Sequence, residues 1–582
     1  MGKTAKLAVV TGALVALWPL ATVGAIGGVP TAVAAVNKGG NVTFLAVGDV
    51  GSLDPGQTHT SFGLMVLYAT NRTLYSYKPG GVKPVPDLAT GLPVVSNGGK
   101  RITVHIKSGI HYSPPLQNVV VTTSDIKYAF ERAFSTHVPN AYAEADFGSI
   151  VGAPSAPTTS ILQIPGIVTP SVTTIVFNLS VPDAAEVTSA LVLPITVPVP
   201  ESYASKYDQG TPTTYGEHAV YTGPYMVKSY TPSQDIQLVR NPSWDAKTDY
   251  RPAYLDSITV KEGEADVAAT SMSVLSGSSL ICCDTGRLPP SVLSLALEHD
   301  RSQLVLAQSH ATLWTAFNTT MAPLQNLNVR KAIIAAVNRH ALWELQGGAA
   351  GGELASGYIP PGPGFAAARG AKQGAGLDFM ANAKGDMKLA RRYMRAAKAQ
   401  GMTDINAAGM YSGPELVAVT SDVGPDQEAA DLVQRELVKL GFRLKLVDAS
   451  EVALYNTYCG SPATLRTDMV AMCMDVTSFE GYPDPQSLLM PTFDGNDILP
   501  QGNLNWSQLN DPALDVAMSG AALLTGSKRL RAWAKVNDMI GAEAPGIPYL
   551  WYKTATVASK NVELVVNGYY AAADLSFTSV RS

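Results

Sequence analysis

Four cysteines, Cys282, Cys283, Cys459 and Cys473, carry the most reactive side chains in the chain. In an oxidising compartment they are expected to form disulfides, and four thiols allow three complete pairings. Neighbours such as Cys282 and Cys283 rarely bond to each other, and the connectivity stays open. A zinc site would need CxxC spacing or nearby histidines, and neither occurs. His105 falls on an alternating strand and His111 in the turn after it, which suits structural roles better than metal ligation. The chain has no GxSxG nucleophile elbow, no HExxH helix and no Walker-type loop. Binding, not bond chemistry, is therefore the expectation, with no metal and no cofactor.

The bulk numbers point to a multi-lobed globular protein. At 582 residues the chain exceeds one ordinary hydrophobic core, so two or three lobes are expected. Hydrophobic residues make up 46% and charged residues 15%, which excludes wholesale disorder. A net charge of −5 supplies no basic field to neutralise phosphates, so nucleic acid is not an expected partner. Lys3 and Lys6 precede an uncharged stretch from Leu7 to Val29 and the small residues Ala32-Val33-Ala34. This reads as an export signal over 1–34, cleaved after Ala34. The same stretch could stay as an uncleaved anchor, although Pro19, Gly24, Gly27 and Gly28 weaken a continuous helix. No cysteine stands at the boundary for acylation.

The elements that must position any site alternate in type. Val42–Val47 reads as a strand closed by the turn Leu53-Asp54-Pro55-Gly56. Arg101–Ile106 alternates around Ile102 and Val104, and Ser124 is the expected cap of a helix over 125–134. A strand over 174–179 precedes a Pro-rich stretch, 182–200, that reads as an irregular connection. Asn328 is the expected cap of a helix with Val329, Ile333, Ala336 and Val337 inward, and Arg330, Lys331 and Arg339 largely off that stripe. Leu416–Val419, Gln427–Leu440 and the run Phe442, Leu444, Leu446 form a strand–helix–strand crossover with Gly441 as the helix stop. Trp533 shares a core-facing stripe with Leu530, Val536 and Ile540. The Gly-rich residues 347–376 read as a surface excursion. The class is α/β with mixed sheets.

Several phrases then resemble the peptide/nickel-binding family of ABC-importer receptors, family 5 of the extracytoplasmic solute-binding proteins. They are Ser52-Leu53-Asp54-Pro55, "RITVHIKSGIHY" at 101–112, "TTSDIKYAFERAF" at 122–134, and Thr222-Gly223-Pro224-Tyr225 with "LVRNPSW" at 238–244. "FNTT" at 317–320 runs into "NVRKAIIAAVNRHAL" at 328–342, "YPDPQSLL" at 482–489 into "LNWSQLNDPALDVAM", and "RLRAWAKVNDMIGAEAPGIPYLWY" at 529–552 closes the set. The resemblance covers nearly all of the chain beyond its first segment.

It implies a type II periplasmic-binding-protein clamshell with two α/β lobes and an additional lobe, linked by a hinge. The expected division is 35–75, 206–308 and 541–582 for lobe I, 76–205 for lobe II and 309–540 for lobe III. It further implies capture of an oligopeptide or similar small solute by domain closure and delivery to ABC permease subunits. The protein would be monomeric, extracytoplasmic and in contact with the membrane through the permease or an uncleaved anchor. A ligand sensor or adhesion module on the same clamshell is the alternative reading, and a hydrolase the remote one.

In peptide-binding members of the family an acid in the cleft anchors the ligand's α-ammonium, since a buried charge is tolerable only when paired. Aligning on Cys473-Met474-Asp475 places that acid at Asp475, the preferred candidate. Aligning on the Asp-Pro pair places Gly481 there and leaves Glu480 or Asp484 as substitutes. Trp314, in "ATLWTAFNTT", would supply a flat wall if its side chain faces the cleft, and core otherwise. Arg466 could receive a ligand carboxylate as a bidentate pair, or stand in solvent.

Overall fold

The computed structural model describes residues 37–581 apart from 82, 141, 265, 285–286, 363–375, 423, 568 and 570–571. The expected export signal, and part of the Gly-rich stretch, lie outside the described residues. Strands relevant to the site are, in chain order, Asn41–Leu45 (β1), Val94–Ser96 (β2), Arg101–His105 (β3), Ile167–Ser171 (β4), Thr174–Asn178 (β5), Tyr225–Thr231 (β6), Asp235–Arg240 (β7), Ser257–Lys261 (β8), Leu280–Cys282 (β9), Leu304–Phe317 (β10), Gly352–Leu354 (β11), Leu416–Ser421 (β12), Leu444–Ala449 (β13), Val470–Phe479 (β14) and Gly546–Ala558 (β15). Relevant helices are Thr123–Ala133 (α1), Ala143–Phe147 (α2), Ala184–Ala190 (α3), Pro290–Glu298 (α4), Leu327–Ala336 (α5), Gly424–Val438 (α6), Pro462–Thr467 (α7), Pro485–Phe493 (α8) and Gly526–Glu543 (α9).

β2–β5 form a four-stranded antiparallel sheet in the order β2-β3-β5-β4. The other strands make one mixed sheet, ordered β13-β12-β14-β10-β15-β9-β1-β8-β7-β6, with β11 added on β15. Two long antiparallel strands, β10 and β15, run through both halves of this sheet. Residues 304–308 of β10 pair with 553–557 of β15 beside β9, whereas 312–316 pair with 546–551 beside β14, and the register shifts between Gln308 and Thr312. His310 sits in that break at φ +53°. Successive residues beyond it face opposite ways: Leu313 and Phe317 enter a core under α5 and α6, and Trp314 and Ala316 enter a second core with Trp506 and Trp533. The crossover β12–α6–β13 joins strands in parallel register, and Gly441, at φ +88°, ends it where a side chain would meet the Tyr411 carbonyl.

Several sequence expectations are corrected. Thr122, not Ser124, caps α1, and its N–H donates to Asp125 at 2.8 Å. Asn326, not Asn328, caps α5. The Pro-rich stretch 182–200 is no irregular linker, because α3 and a 3₁₀ turn bury Val187, Leu191 and Ile195 in the core over the small sheet. Arg330 and Arg339 are buried, since their guanidinium groups satisfy carbonyls that the chain leaves open at Leu324, Glu543, Ala355 and Met380. From the Gly-rich stretch, β11 pairs with β15 and Tyr358 and Ile359 lie in the core.

All four cysteines are paired, Cys459 with Cys473 and Cys282 with Cys283. The second pairing is against expectation. With the other two thiols joined to each other, these neighbours meet across a cis peptide, beside the Ser271 hydroxyl. The Cys459–Cys473 bond closes a separation of 14 residues onto β14. Replacing both cysteines by alanine is expected to lower stability by about 3 kcal/mol, read as a lower urea midpoint than that of the oxidised parent.

Candidate functional site

The break in β10 and the end of β14 meet where the two halves of the mixed sheet join. The Glu480 N–H donates to the His310 carbonyl at 3.2 Å, which turns the Glu480 side chain inward. The His310 ring lies parallel to Tyr569 at 4.6 Å between centroids, and Tyr569 stacks on Tyr77 at 4.2 Å. Four segments distant in sequence therefore converge on one point. A left-handed residue inside a strand is uncommon, and here it breaks the pairing and redirects the histidine.

Glu480 is 1% exposed, and among the described residues neither of its carboxylate oxygens has a hydrogen-bond partner. The His310 Nδ1 and the Tyr569 hydroxyl are likewise unpartnered. His310 Nδ1 stands 3.8 Å from Glu480, which looks like an ion pair by distance. Burial opposes it. Burial pushes Glu480 well above the carboxylate range, Asp484 adds to this, and burial lowers His310 to about 4, so burial disfavours the charged form of each. Buried polar atoms almost always find a partner. An orphan carboxyl with an orphan imidazole and phenol is an enclosed polar site that an incoming cation would complete.

Asp475 has a different surrounding. It lies at φ +57° where the β10–β14 register shifts, accepts a hydrogen bond from the Tyr549 hydroxyl, and is 2% exposed. Burial, then Asp426, holds its carboxyl well above the ordinary range. Asp426, at the start of α6, is gripped by Arg287 at 2.5 and 2.8 Å, and this bidentate pair joins the β12–β14 half of the sheet to the segment before α4. Burial works against the Arg287 charge, but Asp426 more than offsets it.

The other candidates are placed elsewhere. Asp484 caps α8 and is bound by Arg529 at 2.7 and 2.8 Å, and Arg529 also reaches Glu186 at 2.7 Å. Trp314 is fully buried, donates to Ser478 at 3.0 Å and packs against Tyr358, Phe493 and Trp506, so its ring fills core. Arg466 is exposed in the last turn of α7, before β14 begins. Glu480 and Asp484 are thus brought near each other, while Trp314 and Arg466 stand apart from them. His310, Tyr569 and Tyr77 escaped the sequence reading. The only signal was a lone histidine inside a strand-like run, Ser309-His310-Ala311. The open surface groove bordered by His111, Pro114 and Pro242 does not include these residues.

The profile of the bacterial extracellular solute-binding proteins, family 5, matches residues 83–499. Di/tripeptide-binding protein 1 of Pseudomonas aeruginosa is 24% identical over 426 residues, 70% of this chain and 71% of that protein. Among solved structures, the clavulanic acid biosynthesis oligopeptide binding protein 2 superposes with a TM-score of 0.77 at 25% identity, covering 94% of this chain and 96% of that one. The periplasmic binding protein DppA from Helicobacter pylori, in complex with the peptide STSA, has a TM-score of 0.76 at 18% identity over 94% and 99% of the two chains. These likenesses establish the α/β clamshell of the type II periplasmic binding proteins, built on receptors and not enzymes. By the span of its profile match, this chain belongs to the bacterial extracellular solute-binding proteins, family 5.

Proposed function

We propose that the protein captures an oligopeptide, or a similar small solute with a cationic amine, by closing its clamshell, and passes it to an ABC import permease. The observation that carries this reading is the Glu480 carboxyl, buried with both oxygens unpartnered at the junction of the sheet halves. Removing a carboxylate from water is costly without a counter-charge, and a peptide α-ammonium supplies one. Glu480 therefore replaces Asp475 as the preferred anchor, because Asp475 already has Tyr549 as a donor whereas Glu480 has none among the described residues. His310 and Tyr569 would orient the bound amine and its carbonyl neighbour.

The same reading takes residues 1–34 as the export signal and the working form as a monomer. It keeps the division into lobe I (35–75, 206–308, 541–582), lobe II (76–205) and lobe III (309–540), with β10 and β15 as the hinge strands. The register break at 308–312 supports a hinge there. Delivery to a permease rests on the relatives' class.

The test is native mass spectrometry of the protein incubated with a pool of tri- to pentapeptides, half of them N-acetylated. Retention of the free-amine members and exclusion of the acetylated ones is expected. Equal retention of both, or of neither, contradicts the amine-anchor reading.

A further inference from the structure

A second group of acids, adjoining Glu480 through Asp484, lies where α2 and α3 meet the segment from Tyr482 to Asp497 and the start of α9. Glu144 and Asp146 come from α2, Asp183 caps α3 and Glu186 lies on it. Asp484 and Asp497 face them from the other side. Against these six carboxyls the described residues supply one cation, Arg529, which binds Glu186 at 2.7 Å, Asp484 at 2.7 and 2.8 Å and the Gln486 side-chain amide oxygen Oε1 at 2.8 Å. The Tyr482 hydroxyl donates to Asp146 at 2.6 Å. Asp494 and Asp515 border Asp497, and Tyr142 borders Asp146. Nothing here has the arrangement of a metal site among the described residues.

Glu186 is 0% exposed, and its second oxygen has no donor. It lies against Asp146 as a carboxyl–carboxyl contact, which is a hydrogen bond only when one partner carries a proton. Two buried carboxyls in contact cannot both ionise without large cost.

We propose that this seam is a proton-gated latch on the clamshell: it holds the α2–α3 face against the Tyr482–Asp497 face while its carboxyls are protonated, and releases as they ionise. Burial, the largest cause at each, raises Asp146 to about 8, Glu144 and Asp497 to about 7 and Asp183 to about 6, and lifts Glu186 well above its ordinary value. Once the faces part, solvent returns these groups toward about 4. The closed form then holds more protons than the open form. Its advantage is complete below the ordinary carboxylate range and is lost as pH rises through 6 to 8. Each proton held by the closed form alone changes the open-to-closed ratio by up to about tenfold per pH unit between the open-form and closed-form values, and the change levels off above about pH 8.

The inference rests on the hinge motion proposed above, but not on the ligand or on Glu480. Glu480 must ionise to hold an ammonium, so its own pH trend runs the opposite way. A ligand-free measurement separates the two. Small-angle scattering of the unliganded full chain between pH 5.5 and 8.5 is expected to show a larger radius of gyration at the alkaline end. The triple variant Asp146→Asn, Asp183→Asn, Glu186→Gln, which mimics the protonated seam, should stay compact throughout. Asp497→Asn alone, at a half-buried position less prone to misfolding, should shift the midpoint upward. A wild-type profile unchanged across the range, or a midpoint unmoved in Asp497→Asn, overturns the latch. Peptide retention with no pH-dependent opening would leave the receptor reading standing and remove only the latch.

Discussion

Glu480→Gln is expected to weaken binding of a free-amine peptide on the order of 100-fold. The amide keeps the shape of the side chain and removes the charge that the ammonium needs, and a broken buried pair costs roughly 3 kcal/mol. N-acetylation of the peptide should cost the parent protein a similar factor and the variant almost nothing more, since the same interaction cannot be lost twice. Asp475→Asn is the control. Burial holds its carboxyl well above the ordinary range and Tyr549 already donates to it, so the amide should change affinity less than threefold or so. Isothermal titration with one retained peptide and its acetylated form reads all four combinations. A large loss in Asp475→Asn with none in Glu480→Gln would return the anchor to Asp475.

The largest stability effect is expected at Arg132. Its guanidinium is fully buried and binds Asp54 at 2.7 and 2.8 Å and Asp208 at 2.9 and 2.5 Å. It therefore ties the Leu53-Asp54-Pro55 turn, α1 and the segment before Thr213 into one knot. Burial opposes its charge, but the two carboxylates outweigh this and raise its affinity for a proton. Arg132→Met fills similar volume yet strands two acids in the interior, at a cost of about 3 to 5 kcal/mol. The variant should unfold at a clearly lower urea concentration, and the deficit should shrink as pH falls, because, against burial, Arg132 holds Asp208 below its ordinary value in the parent and that stabilisation is lost as Asp208 protonates. An unchanged midpoint at pH 7 would show that the knot contributes little.

Local pattern made much of this fold legible in the sequence. Alternation located β3 and β5, and helical spacing with a glycine stop located the β12–α6–β13 crossover, because each depends on contacts within a short window. Caps slipped by two residues at α1 and α5, where Thr122 and Asn326 compete with equally suitable neighbours. Arg330 and Arg339 were misplaced because helical spacing records polarity and not the carbonyls that a distant loop leaves open.

The site was harder to read for the same reason. Asp475 and Glu480 sit on one strand and its exit, and which of them is left without a hydrogen-bond donor depends on register shifts in β10 and β14. No local pattern encodes those shifts. Tyr77 and Tyr569 reach His310 from opposite ends of the chain, so only the folded arrangement reveals the stack. The Arg529–Asp484 pair had the same obstacle: the Asp-Pro phrase was visible, and its partner 45 residues on was not.

The most direct measurement is a crystal structure of the protein saturated with a peptide from the retained pool. The expected result is the peptide's amino nitrogen within about 3 Å of a Glu480 oxygen, with Tyr569 or His310 no longer unpartnered. A peptide whose amino group lies elsewhere, leaving Glu480 as bare as before, would contradict the account.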